Sequence, residues 1–162
     1  MLTANGKALC KINNGPTKPS SMTVKAIDGN NVVIQNSGEY IYGALMGSLK
    51  LRVGSDTTPV TDTDYQFNNG NLDDLGLTVL NTTGTNDNSS PSYTQNYIAI
   101  FSRTFRNDTE NDITVSEIGI IGQGDLESST LIADRFILIA RDVIDPVTIA
   151  PGEAYTFTMY IG

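Results

Sequence analysis

The side chains whose types and spacing suggest chemistry in this sequence are carboxylates. Asp62-Thr63-Asp64 and Asp108-Thr109-Glu110-Asn111-Asp112 set hard oxygen donors close together in polar segments, the donor type that calcium prefers. Neither follows the helix–loop–helix calcium pattern. Asp62, Asp64, Asp108 and Asp112 are therefore weak calcium candidates, and the ordinary reading of such residues is turn capping or solvated charge. A glycoside hydrolase needs two carboxylates facing each other across a cleft. With aromatic residues at 7% and no tryptophan, a sugar-stacking groove is poorly supplied. The chain has no histidine and a single cysteine, Cys10, which removes the commonest general base and the commonest transition-metal ligand. One cysteine makes no internal disulfide, and zinc, haem, iron–sulfur and Ser-His-Asp chemistry fall away with it. The expectation is a protein with no catalytic residue and no cofactor.

Gly119, Gly122 and Gly124 superficially resemble a phosphate-cradling loop. No lysine follows at the required place and no helix is expected after them, so a bulge and a turn account for these glycines better.

The net charge of −8 is unevenly placed. Residues 1–27 hold Lys7, Lys11, Lys18 and Lys25 without an acidic residue, a net +4 that leaves −12 on the remainder. An acidic body repels nucleic acid. The first residues lack the apolar stretch of a signal peptide, and no run approaches the ~18 apolar residues of a membrane span. These features predict a protein made in a cytoplasm that binds neither nucleic acid nor membrane.

The elements that must position any site read as strands. Residues 22–27 and 32–34 alternate apolar with polar around Asp28-Gly29-Asn30, the chemistry of a tight hairpin. Residues 39–42 and 48–53 continue the pattern, 54–71 and 81–91 read as polar loops, and 72–80 reads as a strand weakened by Gly76. A strand over 93–105 places Tyr93, Tyr97, Ala99, Phe101 and Phe105 on one face. Ile113 and Val115 have opposite parity to Ile118 and Ile120, which predicts a bulge near Ser116-Glu117. Arg103 and Arg106 are placed to pair with Glu117 or Asp112. Residues 131–143 are strand-like with a helix as the alternative, 147–149 is a short run bracketed by prolines, and 155–161 alternates cleanly.

Many short strands with frequent turn signals predict an all-β fold, an antiparallel β-sandwich of jelly-roll type over 22–162. Its expected core includes Tyr97, Phe101, Phe105, Ile118, Ile120 and Phe157. Residues 1–21 read as an N-terminal arm, loose in the free protein and fixed on a partner. Leu2, Leu9 and Ile12 would make its apolar contacts, and Lys7, Lys11 and Lys18 would meet a neighbour's carboxylates.

Four pieces of the sequence, taken in order, carry a resemblance. They are Leu51-Arg52-Val53-Gly54-Ser55-Asp56-Thr57-Thr58-Pro59 with Asp62 and Asp64-Tyr65, then Arg103 to Thr109 with Asp112 to Ile120, then Leu138-Ile139-Ala140-Arg141-Asp142-Val143-Ile144, then Pro146 to Glu153. Over residues 48–161 this is similar to a pattern that recurs in tailed-bacteriophage virion proteins, with Asp56 where that pattern has glycine. The resemblance implies a virion structural role as a capsid-decorating or head-fibre protein, assembled in the host cytoplasm. Its partners would be other virion proteins, the major capsid protein or a tail protein, and it would form a homo-oligomer such as a trimer. Attachment to the tail or baseplate, or binding of a host receptor, is the alternative within that family. A carbohydrate- or calcium-binding module is the alternative outside it.

Overall fold

The computed structural model describes residues 1–3, 6–7, 21–35, 49–67, 74–80, 92–93, 99–124 and 135–161. Antiparallel strands dominate these residues. β1 (Ser21–Lys25) and β2 (Asn31–Gln35) form a hairpin. Its turn has Gly29 at φ 83°, and the Asp28 carboxylate accepts the Asn30 amide at 2.9 Å. A side chain at that φ would be strained, which is why glycine stands there.

The remaining strands form two antiparallel sheets. In one, β7 (Ile113–Gly124) lies between β3 (Lys50–Gly54) and β8 (Arg135–Ile149). In the other, β6 (Ala99–Arg106) pairs along its whole length with β9 (Ala154–Ile161). The far side of β6 takes two short strands, β4 (Thr78–Leu80) and β5 (Ser92–Tyr93). Both sheets contribute to one apolar cluster. Leu51, Val53, Val115, Ile118, Ile120 and Ile137 come from the first sheet, and Phe101, Phe105, Phe157 and Met159 from the second. The Phe105 and Phe157 rings meet edge to face at 6.0 Å, and Arg103 Nη1 crosses from β6 to the Leu51 carbonyl on β3 at 3.1 Å.

Two irregularities in the β7–β8 ladder decide which side chains face this cluster. The register shifts between Val115 and Glu117. Val115 and Ile118 therefore share the core despite opposite parity. The additional residues lie on β8 around Pro146, which has no amide to lose from the ladder. A second shift between Ile120 and Ile121 leaves Ile139 without a partner on β7 and turns Ile139 and Ala140 both towards the core. Pro146 thus sits inside a continuous strand, and 147–149 is its end, not a separate run. Gly119, Gly122 and Gly124 also lie within a strand, where neither a turn nor a phosphate loop is present.

Three further expectations change. The strand expected over 93–105 is replaced by two strands, because Tyr93 of β5 pairs antiparallel with Ala99 of β6. Of the described residues 74–80, Thr78–Leu80 are strand. Asp74, Leu75 and Gly76 instead form a left-handed turn, with φ of 52°, 60° and 78°. Residues 1–3 and 6–7 of the expected arm are placed against the body of the chain. They lie along the outer edge of β8, where Leu2 pairs with Ala140 and the Thr3 amide donates to the Ile139 carbonyl at 3.1 Å. The strip forms because that edge exposes unpaired backbone groups and Thr3 is fully buried against it. Tyr40, Tyr42, Tyr97, Leu9, Lys11, Ile12 and Lys18 lie outside the described residues.

Phe101, Phe105, Ile118, Ile120 and Phe157 are all buried, Phe105 completely. Phe105→Ala is expected to lower unfolding free energy by roughly 3–5 kcal/mol, measured by chemical denaturation. A loss under about 1 kcal/mol would mean that the ring does not fill the core.

Candidate functional site

The second face of the β3–β7–β8 sheet carries charge in place of a uniform apolar surface. Arg141 on β8 is fully buried, and so is Glu117 on β7. Arg141 Nε donates to Glu117 Oε1. Its Nη1 donates to Asp64 Oδ2 at 2.8 Å, and its Nη2 to Asp56 Oδ2 at 3.1 Å and to the Thr58 carbonyl at 3.2 Å. One guanidinium therefore meets three carboxylates and a backbone oxygen, using its fixed fork of donors.

The carboxylates are held in turn by the loop that supplies them. Asp56 Oδ1 accepts the Thr58 amide at 3.0 Å, and Asp64 accepts the Thr61 hydroxyl at 2.5 Å and the Thr61 amide at 3.1 Å. Phe67, at the end of this loop, packs with Ile121 and Leu138 in a second small apolar cluster. Two glycines make room beneath it. A Cβ on Gly119 would stand 2.8 Å from the Phe67 ring, and one on Gly54 would strike the Glu117 carboxylate. Tyr65 lies under Lys25 of the hairpin, with Nζ 3.8 Å from the ring centroid.

The two acids nearest Arg141 shift in opposite directions. It pushes Glu117 above its ordinary value, and the Arg141 hydrogen bond and charge offset only part of that shift. Glu117 Oε2 is buried without a hydrogen-bond partner. Burial also pushes Asp64 up, but hydrogen bonds from Thr61 and Arg141 outweigh it and hold Asp64 below the usual range.

Two other buried polar groups act alike. Asp74 receives Arg52 Nη1 at 2.6 Å and the Val53 amide at 3.2 Å, which holds the left-handed turn against β3. Positive φ costs a non-glycine residue roughly 1–2 kcal/mol, so Asp74 and Leu75 need such a tether. Burial raises the Asp74 carboxyl even with Arg52 beside it. Asn107 joins two turns. Its Nδ2 donates to the Asn111 and Ile149 carbonyls at 2.7 and 2.8 Å, and its backbone bonds Glu153 and Gly152.

The arrangement fastens the loop to the sheet around a fully buried guanidinium. The loop it anchors exposes Ser55, Thr57, Thr58, Pro59, Thr61, Asp62 and Thr63. The N-terminal strip joins the same region, because Met1 exchanges backbone bonds with Arg141 and Lys7 reaches Asp62 at 3.4 Å. Of the calcium candidates, Asp62 meets Lys7, Asp64 meets Arg141, and Asp108 meets Arg106 at 2.6 Å. Among the described residues no three metal-binding side chains gather into a cage. The expected pairing of Arg103 or Arg106 with Glu117 or Asp112 is replaced by these partners, because Glu117 faces Arg141 across β7 and β8. Sequence reasoning passed over Arg141 and Asp74 as site residues. The available signal was an arginine inside the apolar run Leu138-Ile139-Ala140-Arg141, which a strand buries only with a partner. The chain matches none of the protein-family models, curated proteins or solved structures compared with it.

Two outcomes are expected. Arg141→Met leaves three carboxylates without their cation and should cost roughly 3–5 kcal/mol in denaturant unfolding. A cost below about 1 kcal/mol would remove the network from its anchoring role. Asp64, with its folded value depressed, contributes stability that is present above the unfolded value and lost as pH falls through the folded one. Wild-type protein should therefore lose stability below about pH 4 more steeply than Asp64→Asn. Parallel acid limbs for the two proteins would contradict this.

Proposed function

We propose that this chain is a non-catalytic structural protein of a tailed-bacteriophage particle, attached to the capsid through protein–protein contacts. In this reading the two sheets form a sandwich of jelly-roll kind that decorates the head or builds a head fibre. The observation that carries it is the convergence of separate sequence pieces on shared partners. Asp56, Thr58 and Asp64 from the first piece, Glu117 from the second and Arg141 from the third meet in one buried network. The second and fourth pieces meet where Asn107 bonds the Gly152-Glu153 turn. These pieces are in contact within one fold, which supports reading them together as one pattern. Asp56, where the resembling pattern has glycine, adds a carboxylate to Arg141.

Such a protein needs a rigid displayed surface and no reaction centre. Its buried polar groups at Arg141, Asp74 and Asn107 serve to hold loops still. Its place would be the virion, reached by assembly in the host cytoplasm.

The test is antibody labelling of purified particles from the phage that encodes the chain, with copy number from quantitative mass spectrometry. Label over the head at many copies per particle is the expected result. Label confined to the tail tip, with free protein blocking adsorption to cells, would replace capsid attachment by receptor binding. Particles without label would overturn the virion reading.

A further inference from the structure

The long strands differ in how their outer edges are closed. On β3, the Val53 amide is taken by the Asp74 carboxylate and the Leu51 carbonyl by Arg103. On β8, Met1 and Thr3 bond Arg141, Ile139 and Leu138, and the Ile27 amide takes the Phe136 carbonyl. β4 and β5, beside β6, are three and two residues long. Among the described residues β9 has no such cover. Its eight residues pair with β6 on one side, and among the described residues nothing bonds the backbone on its other side.

An open edge is a template for another strand, and proteins usually blunt it with charge, proline or a bulge. β9 has none of these. Ala154-Tyr155-Thr156-Phe157-Thr158-Met159-Tyr160-Ile161 contains no charged residue and no proline, and its register with β6 is unbroken over eight pairs. On the side of this sheet away from the core, Ser102 bonds Thr158 at 2.8 Å and Thr104 bonds Thr156 at 2.7 Å, and the one charged neighbour on β6 there, Arg106 beside Ala154, is paired with Asp108. Tyr160 there is 66% exposed.

We propose that β9 is the seam of a homodimer in which the β9 strands of two copies pair antiparallel about a two-fold axis. The two β6–β9 sheets then become one. A second copy fits this edge for three reasons. Two chains of net charge −8 repel wherever their carboxylates meet, and β9 is an uncharged run long enough to pair. Antiparallel pairing sends the two Glu153 residues to opposite ends of the seam, roughly 25 Å apart, where repulsion is screened. A two-fold closes both edges at once and leaves none open for further growth. The threonine ladder also continues across the seam, because threonine pairs well with threonine on a shared sheet face.

The inference deepens the assembly reading and rests on it for the dimer's use on a particle, while the seam itself is measured on the purified protein. Failure of particle labelling with a dimer in solution would strike the virion reading alone. A monomer that labels particles would strike the seam alone.

The experiment has two arms. Sedimentation of the full chain gives its mass, and single cysteines at Thr156, Thr158 and Tyr160, each in a Cys10→Ser background, report proximity by disulfide formation. The expected result is a dimer, with cross-linking concentrated at one of the three positions as a fixed register requires. Thr158→Lys should weaken the dimer by about tenfold or more by placing like charges at the seam. Its circular dichroism spectrum should match that of the wild type. A monomer at all concentrations, or an oligomer that forms no cross-link at any of the three positions and is unaffected by Thr158→Lys, would overturn the proposal.

Discussion

A guanidinium in a protein interior must have its charge and its donors met, and at Arg141 that requirement organises half of the molecule. Its partners come from β7 and from two points of the loop between β3 and Phe67. Its backbone bonds the first residue of the described chain. Leaving Arg141 unpaired would be far more costly than any single contact in the loop gains. The loop is therefore placed by the arginine and not by its own composition, which is polar and supports no core. The glycines at 54 and 119 follow from the same demand, because the acid and the Phe67 ring need the space a Cβ would occupy.

The network is overcharged on the acidic side, and the protein resolves this by position. Asp64 receives hydrogen bonds that favour its ionised form, whereas Glu117, deeper and with one oxygen poorly served, is pushed towards the neutral form. Acid thus weakens the loop's hold through Asp64 and relieves strain through Glu117. The asymmetry ties the loop's attachment to the better solvated of the two groups.

A similar economy runs along the sheet edges. Asp74 and Arg103 cover β3, and the N-terminal strip covers β8. In each case a polar group does two things, satisfying a backbone donor or acceptor and fixing a neighbouring segment. The left-handed turn at Asp74-Leu75-Gly76 exists because its carboxylate must reach both Arg52 and the Val53 amide.

Period-two alternation and turn chemistry by themselves determined the all-β class, the hairpin at Asp28-Gly29-Asn30, the β9 strand and the bulge beside Glu117. These depend on neighbours in the chain, so local pattern carries them. Opposite parity at Val115 and Ile118 was legible for the same reason. The strip formed by residues 1–3 was not, because its partner lies more than a hundred residues away on β8. Nor was the division of 93–105, where a uniform alternation conceals two strands that only pairing with Ala99 reveals. The second bulge, at Ile139, mixes both parities in one apolar run, which reads as a strand but keeps a helix as the alternative from local pattern. The partners of Arg141 were hidden most completely. Asp56, Asp64 and Glu117 resemble ordinary solvated acids until the sheet brings β7, β8 and the loop together, because burial and charge pairing are properties of the assembled fold.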